Sequence, residues 1–266
     1  AERDAALIEQ RFPRLNRCLT GYDLAHLRER DGRFNLNSVL CGAEGSLGFI
    51  VEAELNLLPI PRHTMLVNVR YASFMDALRD AQALMAHAPL SIETVDSRVL
   101  MLAMEDIVWQ GVAEYFPSSG DSAPTRGINM VEFSGDSPEA LETRVAAFVA
   151  HLARDAGAAR LGHTIAAGHA AVTRVYAMRK RAVGLLGNVQ GEARPQPFVE
   201  DTAVPPERLA DYIAEFRALL DSHGLSYGMF GHVDAGVLHV RPALDLKDPA
   251  QAALIREFKL EDARYV

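Results

Sequence analysis

Apolar positions along the chain recur with two periods, and the switches between them mark its elements. Residues 4 to 11 carry the spacing of a short helix stopped near Pro13. Phe49, Val51, Ala53, Leu55 and Leu57 alternate with Glu52, Glu54 and Asn56, the period of a half-buried strand. Pro59 and Pro61 close that segment and predict a boundary between a first unit, 1–60, and a second, 61–266.

Past Pro61 the pattern becomes orderly. Residues 64–72 predict a strand, and Ser73, with Asp76 completing a capping box, opens a helix to about His87. The stretch 90–102 begins as a strand, 106–125 is loop-like, and 129–135 is a further strand. Ser137-Pro138-Glu139 opens a helix running to about Ala156, with Gly157 as its stop, and 159–166 returns as a strand. That order, β-α-β-β-α-β, is the ferredoxin-like one. A helix of mixed character at 169–187 follows, and then the order starts again. A strand at 197–204 leads to an amphipathic helix ended by Gly224, paired strands at 225–233 and 236–244, and a helix opened by residues 248–258. The predicted fold class is α+β, a repeated βαββαβ domain with an antiparallel sheet. The chain stops at Val266 before the last strand of the second repeat, so this domain is expected to be truncated at its end.

Composition adds bounds. With 49% hydrophobic and 23% charged residues, the chain can bury a globular core. Its net charge of −8 and the lack of a basic stripe argue against nucleic acid. Two cysteines, Cys18 and Cys41, make neither a disulfide framework nor a cysteine-only metal or iron–sulfur site. No apolar run has transmembrane length, and the charged N-terminus lacks a signal-peptide core. A reducing cytoplasm is the expected compartment, with a peripheral place at the inner membrane as its variant.

Three places could carry chemistry. Gly42-Ala43-Glu44-Gly45-Ser46-Leu47-Gly48 allows close approach of backbone to a ligand, but its GxxGxxG spacing and the strand after it do not suit a Rossmann loop. A plain glycine-rich turn fits it equally. In Gly231-His232-Val233-Asp234-Ala235-Gly236-Val237-Leu238-His239 the turn residues predict a hairpin. If the loop is Asp234–Val237, His232 and His239 stand directly opposite on one face and could share a divalent metal, although histidine pairs in hairpins are often structural. Arg179, Lys180 and Arg181 lie on a helix, where such residues commonly face solvent. Glu200 and Asp201 are adjacent, so on a strand they face opposite sides and do not form an acid/base couple.

The residues TGYDL (20–24) and CGAEGSLGFIVEAELNLLP (41–59) resemble the closing part of the flavin-binding domain in the vanillyl-alcohol-oxidase-type superfamily. There a Gly-Ser-Glu-Gly-Thr-Leu-Gly stretch lines the FAD. Ala43 and Ser46 replace its serine and threonine, so one hydroxyl is missing at position 43. The resemblance implies that Gly42, Glu44, Gly45, Ser46 and Gly48 face FAD. An earlier glycine-rich loop that holds the pyrophosphate in this superfamily has no counterpart in residues 1–40, so weak or no FAD binding by this chain alone is expected.

PFVEDTAVPPERL followed by GHVDAGVLHVRP is similar to the C-terminal substrate domain of FAD-linked dehydrogenases acting on D-lactate, glycolate or D-2-hydroxyglutarate. That likeness implies that His232 and His239 bind a divalent metal, often zinc, which holds the substrate's carboxylate and hydroxyl. The family's Gly-Asp-Gly-Asn interior departs here to Asp234, Ala235, Gly236 and Val237, a form that resembles the larger members carrying an iron–sulfur region outside this chain. The stretch around Arg179 matches a Trp-x-x-Arg-Glu segment that holds the substrate carboxylate, with Lys180 in place of the acidic neighbour. This favours Arg179 over Arg181, and Arg194 in the loop GEARPQPF is a second candidate for a distal carboxylate. The family's later Gly-Glu-His-Gly segment, with a third metal ligand and the base, is not in this sequence. Catalysis by these residues alone is therefore not expected.

The implied function is oxidation of a D-2-hydroxy acid to a 2-oxo acid by hydride transfer to FAD. Electrons would pass on to a quinone, a cytochrome or an iron–sulfur relay, and a homo-oligomer is compatible. A metal-independent flavin alcohol oxidase of the same fold, or a non-catalytic ferredoxin-like binding module, are the competing readings.

Overall fold

The computed structural model describes residues 2–12, 21–117, 123–154, 159–187 and 191–265, without the side chains of residues 2, 200, 201 and 259–265. Pro13, Cys18 and Gly157, and the directions of Glu200 and Asp201, thus lie outside the described residues. The chain divides into two compact units, Ala1–Ile60 and Pro61–Val266.

The first unit contains α1 (Ala5–Arg11) and α2 (Asn37–Cys41). Asp23 caps a short 3-10 turn, Leu24–His26, by accepting from the His26 N–H, and Ser38 Oγ donates to the Asp23 carbonyl. The strand expected over 49–57 is not formed: residues 48–61 have no regular secondary structure. Phe49 is 94% exposed and Val51 91%. The alternation is real, but a strand is stable only when a neighbour takes up its N–H and C=O groups. Among the described residues, no strand pairs with this segment.

The second unit is a single antiparallel sheet with helices on both faces. Its first half follows the predicted order: β1 (His63–Tyr71), α3 (Phe74–Met85), β2 (Ser91–Asp96), α4 (Ser97–Glu105), β3 (Gly127–Gly135), α5 (Pro138–Arg154) and β4 (Arg160–Ala167). The Ser73 cap forms as expected: its Oγ accepts from the Asp76 N–H and donates to the Asp76 carboxylate at 2.7 Å. Helix α4 is an addition to the pattern. Asp96 starts it by accepting from the Val99 N–H, which turns a strand into a helix within one residue. The connector α6 (His169–Leu185) leads to the second half. This comprises β5 (Arg194–Pro195), β6 (Val199–Ala203), α7 (Leu209–Ser222), β7 (Tyr227–His232), β8 (Val237–Leu244) and α8 (Pro249–Tyr265).

The strand order is β4-β1-β3-β2-β7-β8-β5, with β6 also on β8. Each repeat thus has its first strand beside its third, and the two repeats join where their second strands, β2 and β7, pair. One face carries α3, α5, α7 and α8, packed through residues such as Phe148, Phe216 and Phe258 on Val67, Val131 and Val240. The other carries α4 and α6, whose Val99, Val172, Val175 and Met178 meet Leu66, Val95, Met130 and Phe230. No described helix is long and apolar enough to cross a membrane.

Candidate functional site

The β2–β7 seam brings chemistry together on the α6 face. Strand β2 alternates, sending Ile92 and Thr94 to one face and Ser91, Glu93 and Val95 to the other. Glu93 pairs directly with His232 of β7, and its Oε1 lies 2.6 Å from His232 Nδ1. Arg179 reaches down from α6, with Nη2 2.7 Å from Glu93 Oε2 and its guanidinium 5.0 Å over the Phe230 ring. The ring of His239 lies 5.0 Å from Phe230 and 5.6 Å from His232. Arg241, two residues on and so on the same face, approaches the Phe230 ring at 6.0 Å.

The hairpin differs from its expected register. Its loop is Val233–Gly236, and the pairs are His232 with Val237 and Phe230 with His239. The loop keeps four residues but begins one position earlier, so the two histidines become diagonal neighbours rather than opposed ones. They still share a face. Val233–Ala235 form a 3-10 turn closed by Gly236 at φ 68°, where a side chain would run into the Val204 carbonyl. Asp234 contributes by accepting from the Ile92 N–H at 3.2 Å, which ties the turn to β2.

Helix α6 separates the basic residues. Its apolar row Ala171, Val172, Val175, Met178 and Ala182 faces the sheet. Arg179 lies on the flank of that row, whereas exposed Arg181 bonds Asp106 at 3.1 Å on the outer surface. The Arg179–Glu93 contact is close but poorly aligned. Arg179 Nε and Nη2 and Glu93 Oε2 are buried without a hydrogen bond of good geometry. Beside them, Tyr176 donates to Glu132 Oε2 at 2.6 Å, and burial, then this bond, pushes the phenol well above its usual range. Arg194 is not brought here. It pairs with Leu244, five residues along β8 from His239, and its guanidinium donates to the Gly191 and Ala193 carbonyls. Among the described residues, no group of three or more His, Cys, Asp or Glu is placed to hold a metal. Two imidazoles on one tetrahedral ion at about 2.1 Å would have ring centres about 5 Å apart. The observed histidine spacing suits a pair of ligands.

In the first unit the glycine-rich segment is a run of turns. Glu44 and Gly45 both take positive φ, at 46° and 80°. Gly42 packs so tightly on the Gly21 carbonyl that a Cβ has no room. Tyr22 and Ser46 share a hydrogen bond of 2.6 Å, so the two motifs of this unit are in contact. Gly45 and Gly48, with Ala43, Leu40 and residues 49–55, line a concavity of about 880 Å³. Gly42, Glu44 and Ser46 are not part of its lining.

Glu93 was not singled out in the sequence, although a signal existed: it is a carboxylate on the same face of its strand as Val95, which packs into the core. Arg241 had a similar signal, two residues beyond His239.

A family model described as FAD linked oxidases, C-terminal domain, matches residues 60–261. The chain belongs to this family. Two curated relatives of this FAD-linked oxidase chain carry the name D-2-hydroxyglutarate dehydrogenase. The one from Pseudomonas putida (strain KT2440) is 74% identical over 96% of this chain, and the one from Escherichia coli (strain K12) is 54% identical over 94%. The chain spans 25% of the length of either. Among solved structures, an alkyldihydroxyacetonephosphate synthase shares the fold with a TM-score of 0.58 at 17% identity, covering 88% of this chain and 44% of that one.

Proposed function

We propose that the protein carrying this chain oxidises D-2-hydroxyglutarate, or a close D-2-hydroxy acid, to the 2-oxo acid with FAD as hydride acceptor. The relatives named above support the substrate. The observation that carries the reading is the convergence of Arg179, His232 and His239 on one sheet face beside Glu93. Arg179 holds the substrate carboxylate, for which its under-used Nε–H and Nη2–H donors provide a fork. This fixes C2 in one place, and fixed geometry lowers the entropic part of the barrier. In the reaction the C2–H bond breaks with its electron pair, the hydroxyl proton goes to a base, and the C–O bond becomes a carbonyl. FAD, when bound, supplies the acceptor for that hydride, and the glycine-lined concavity of the first unit offers backbone to such a cofactor. His232 and His239 would hold a divalent metal, which would supply charge to stabilise the alkoxide. Electron transfer onward to a quinone, a cytochrome or an iron–sulfur relay belongs to the same proposal.

The test is Arg179→Ala in the full-length protein. Loss of charge-assisted hydrogen bonds of about 1.5–3 kcal/mol predicts a fall in kcat/KM for D-2-hydroxyglutarate of roughly 10–100-fold, with the flavin spectrum unchanged. Flavin reduction as fast as in the parent would count against the assignment.

A further inference from the structure

Glu93 connects both functional groups of the site. Its Oε1 is 2.6 Å from His232 Nδ1 and its Oε2 is 2.7 Å from Arg179 Nη2. We propose that Glu93 is a positioning residue that sets His232 for metal binding and Arg179 for the substrate carboxylate at the same time. The argument begins with the ring. A neutral imidazole donates from one nitrogen and accepts through the other, so Nδ1–H held by a carboxylate leaves the Nε2 lone pair for a metal. A carboxylate behind a ligating histidine also fixes the ring's orientation and raises its basicity.

The same carboxylate limits the arginine. Arg179 stacks over Phe230 and is pulled toward the sheet by Glu93, yet Nε and Nη2 remain without well-aligned partners. Glu93 therefore neutralises and aims the guanidinium without using up its hydrogen-bonding capacity. The three residues come from three separate parts of the domain: β2 of the first repeat, α6 between the repeats, and β7 of the second. Pairing of β2 with β7 places Glu93 directly opposite His232, so the seam between repeats also fixes the site. Glu93 touches neither substrate nor metal in this role; it acts through its two neighbours.

The proposal rests on the metal and carboxylate roles given above, and the test separates the two. Glu93→Gln keeps the shape and removes the charge, and Glu132→Gln is the control, because Glu132 bonds Tyr176 on the same face without touching either histidine. Each full-length flavoprotein, stripped of metal, is titrated with zinc against a chromophoric chelator, and KM for D-2-hydroxyglutarate is measured alongside. Glu93→Gln is expected to weaken zinc binding by roughly 10–100-fold and to raise KM several-fold, at an unchanged flavin spectrum. Glu132→Gln is expected to match the parent in both. Parental zinc uptake with unchanged uptake or unchanged KM in Glu93→Gln overturns the bridging role alone. Equal losses in Glu132→Gln overturn it too, as a general effect of disturbing the face. A parent that takes up no zinc removes the metal site itself, and this role with it.

Discussion

Two arginine–carboxylate clusters of the second unit, on opposite faces of one sheet, are built to different ends. Asp80 and Arg160 form a bidentate pair whose side chains are 2% and 7% exposed. Its neighbours add further hydrogen bonds. Tyr71 donates to Asp80 Oδ2 at 2.6 Å, Asn129 donates to the Tyr71 hydroxyl and the Ala77 carbonyl, and Arg160 also reaches the Leu152 carbonyl. Burial and the Asp80 charge drive the Tyr71 phenol far above its usual range, so it stays a donor. By contrast, Arg179 and Glu93 are 19% and 13% exposed, make a close but misaligned contact, and sit beside two part-exposed histidines. A polar cluster that only holds the fold pairs its charged groups, even where an amide oxygen such as Asn129 Oδ1 is left without a hydrogen bond. One that awaits a ligand keeps some capacity open.

The largest expected effect comes from breaking the closed cluster. Asp80→Ala leaves Arg160 charged and buried without its carboxylate, which should cost about 3–5 kcal/mol in chemical or thermal unfolding. Loss within 1 kcal/mol would mean that the two clusters are alike after all. A smaller effect tests the seam between repeats. Asp96 ends β2, caps α4 and also accepts from the Met229 N–H of β7 at 2.8 Å. Burial raises its carboxyl to about 6 against these hydrogen bonds. Between about pH 4 and 6 the folded protein therefore binds a proton there that the unfolded chain does not, and stability falls as pH rises through that window. Asp96→Asn should abolish this slope, a change of about 1–3 kcal/mol across the window in urea titrations at successive pH values. The smallest effect belongs to Arg194. Exposed and bonded to its own loop, it should tolerate alanine within about 0.5 kcal/mol and without change in KM. A raised KM would restore it as a reader of the distal carboxylate.

Much of the second unit was legible because its signals are local. The Ser73 and Ser137-Pro138 helix starts, the glycine after α7 and the strand-like runs of β1, β3 and β8 each depend on a few neighbouring residues. The failures were of another kind. Residues 49–57 carry a strand pattern, yet pairing is a contact with a distant segment that the pattern does not contain. The hairpin register moved by two because Gly236 had to pack against Val204 and Asp234 against Ile92, contacts from outside the hairpin. Glu93 showed only as an odd carboxylate in a strand.

The amino-acid sequence by itself determined the repeat order and the helix starts at Ser73 and Ser137, since short-range sterics and periodicity govern these, whereas the preference for Arg179 came from the resemblance to a known family. Tertiary structure alone decided which groups meet. Glu93 and His232 are 139 residues apart in the chain, and only the pairing of β2 with β7, fixed by burial on both faces of the sheet, puts them 2.6 Å from one another.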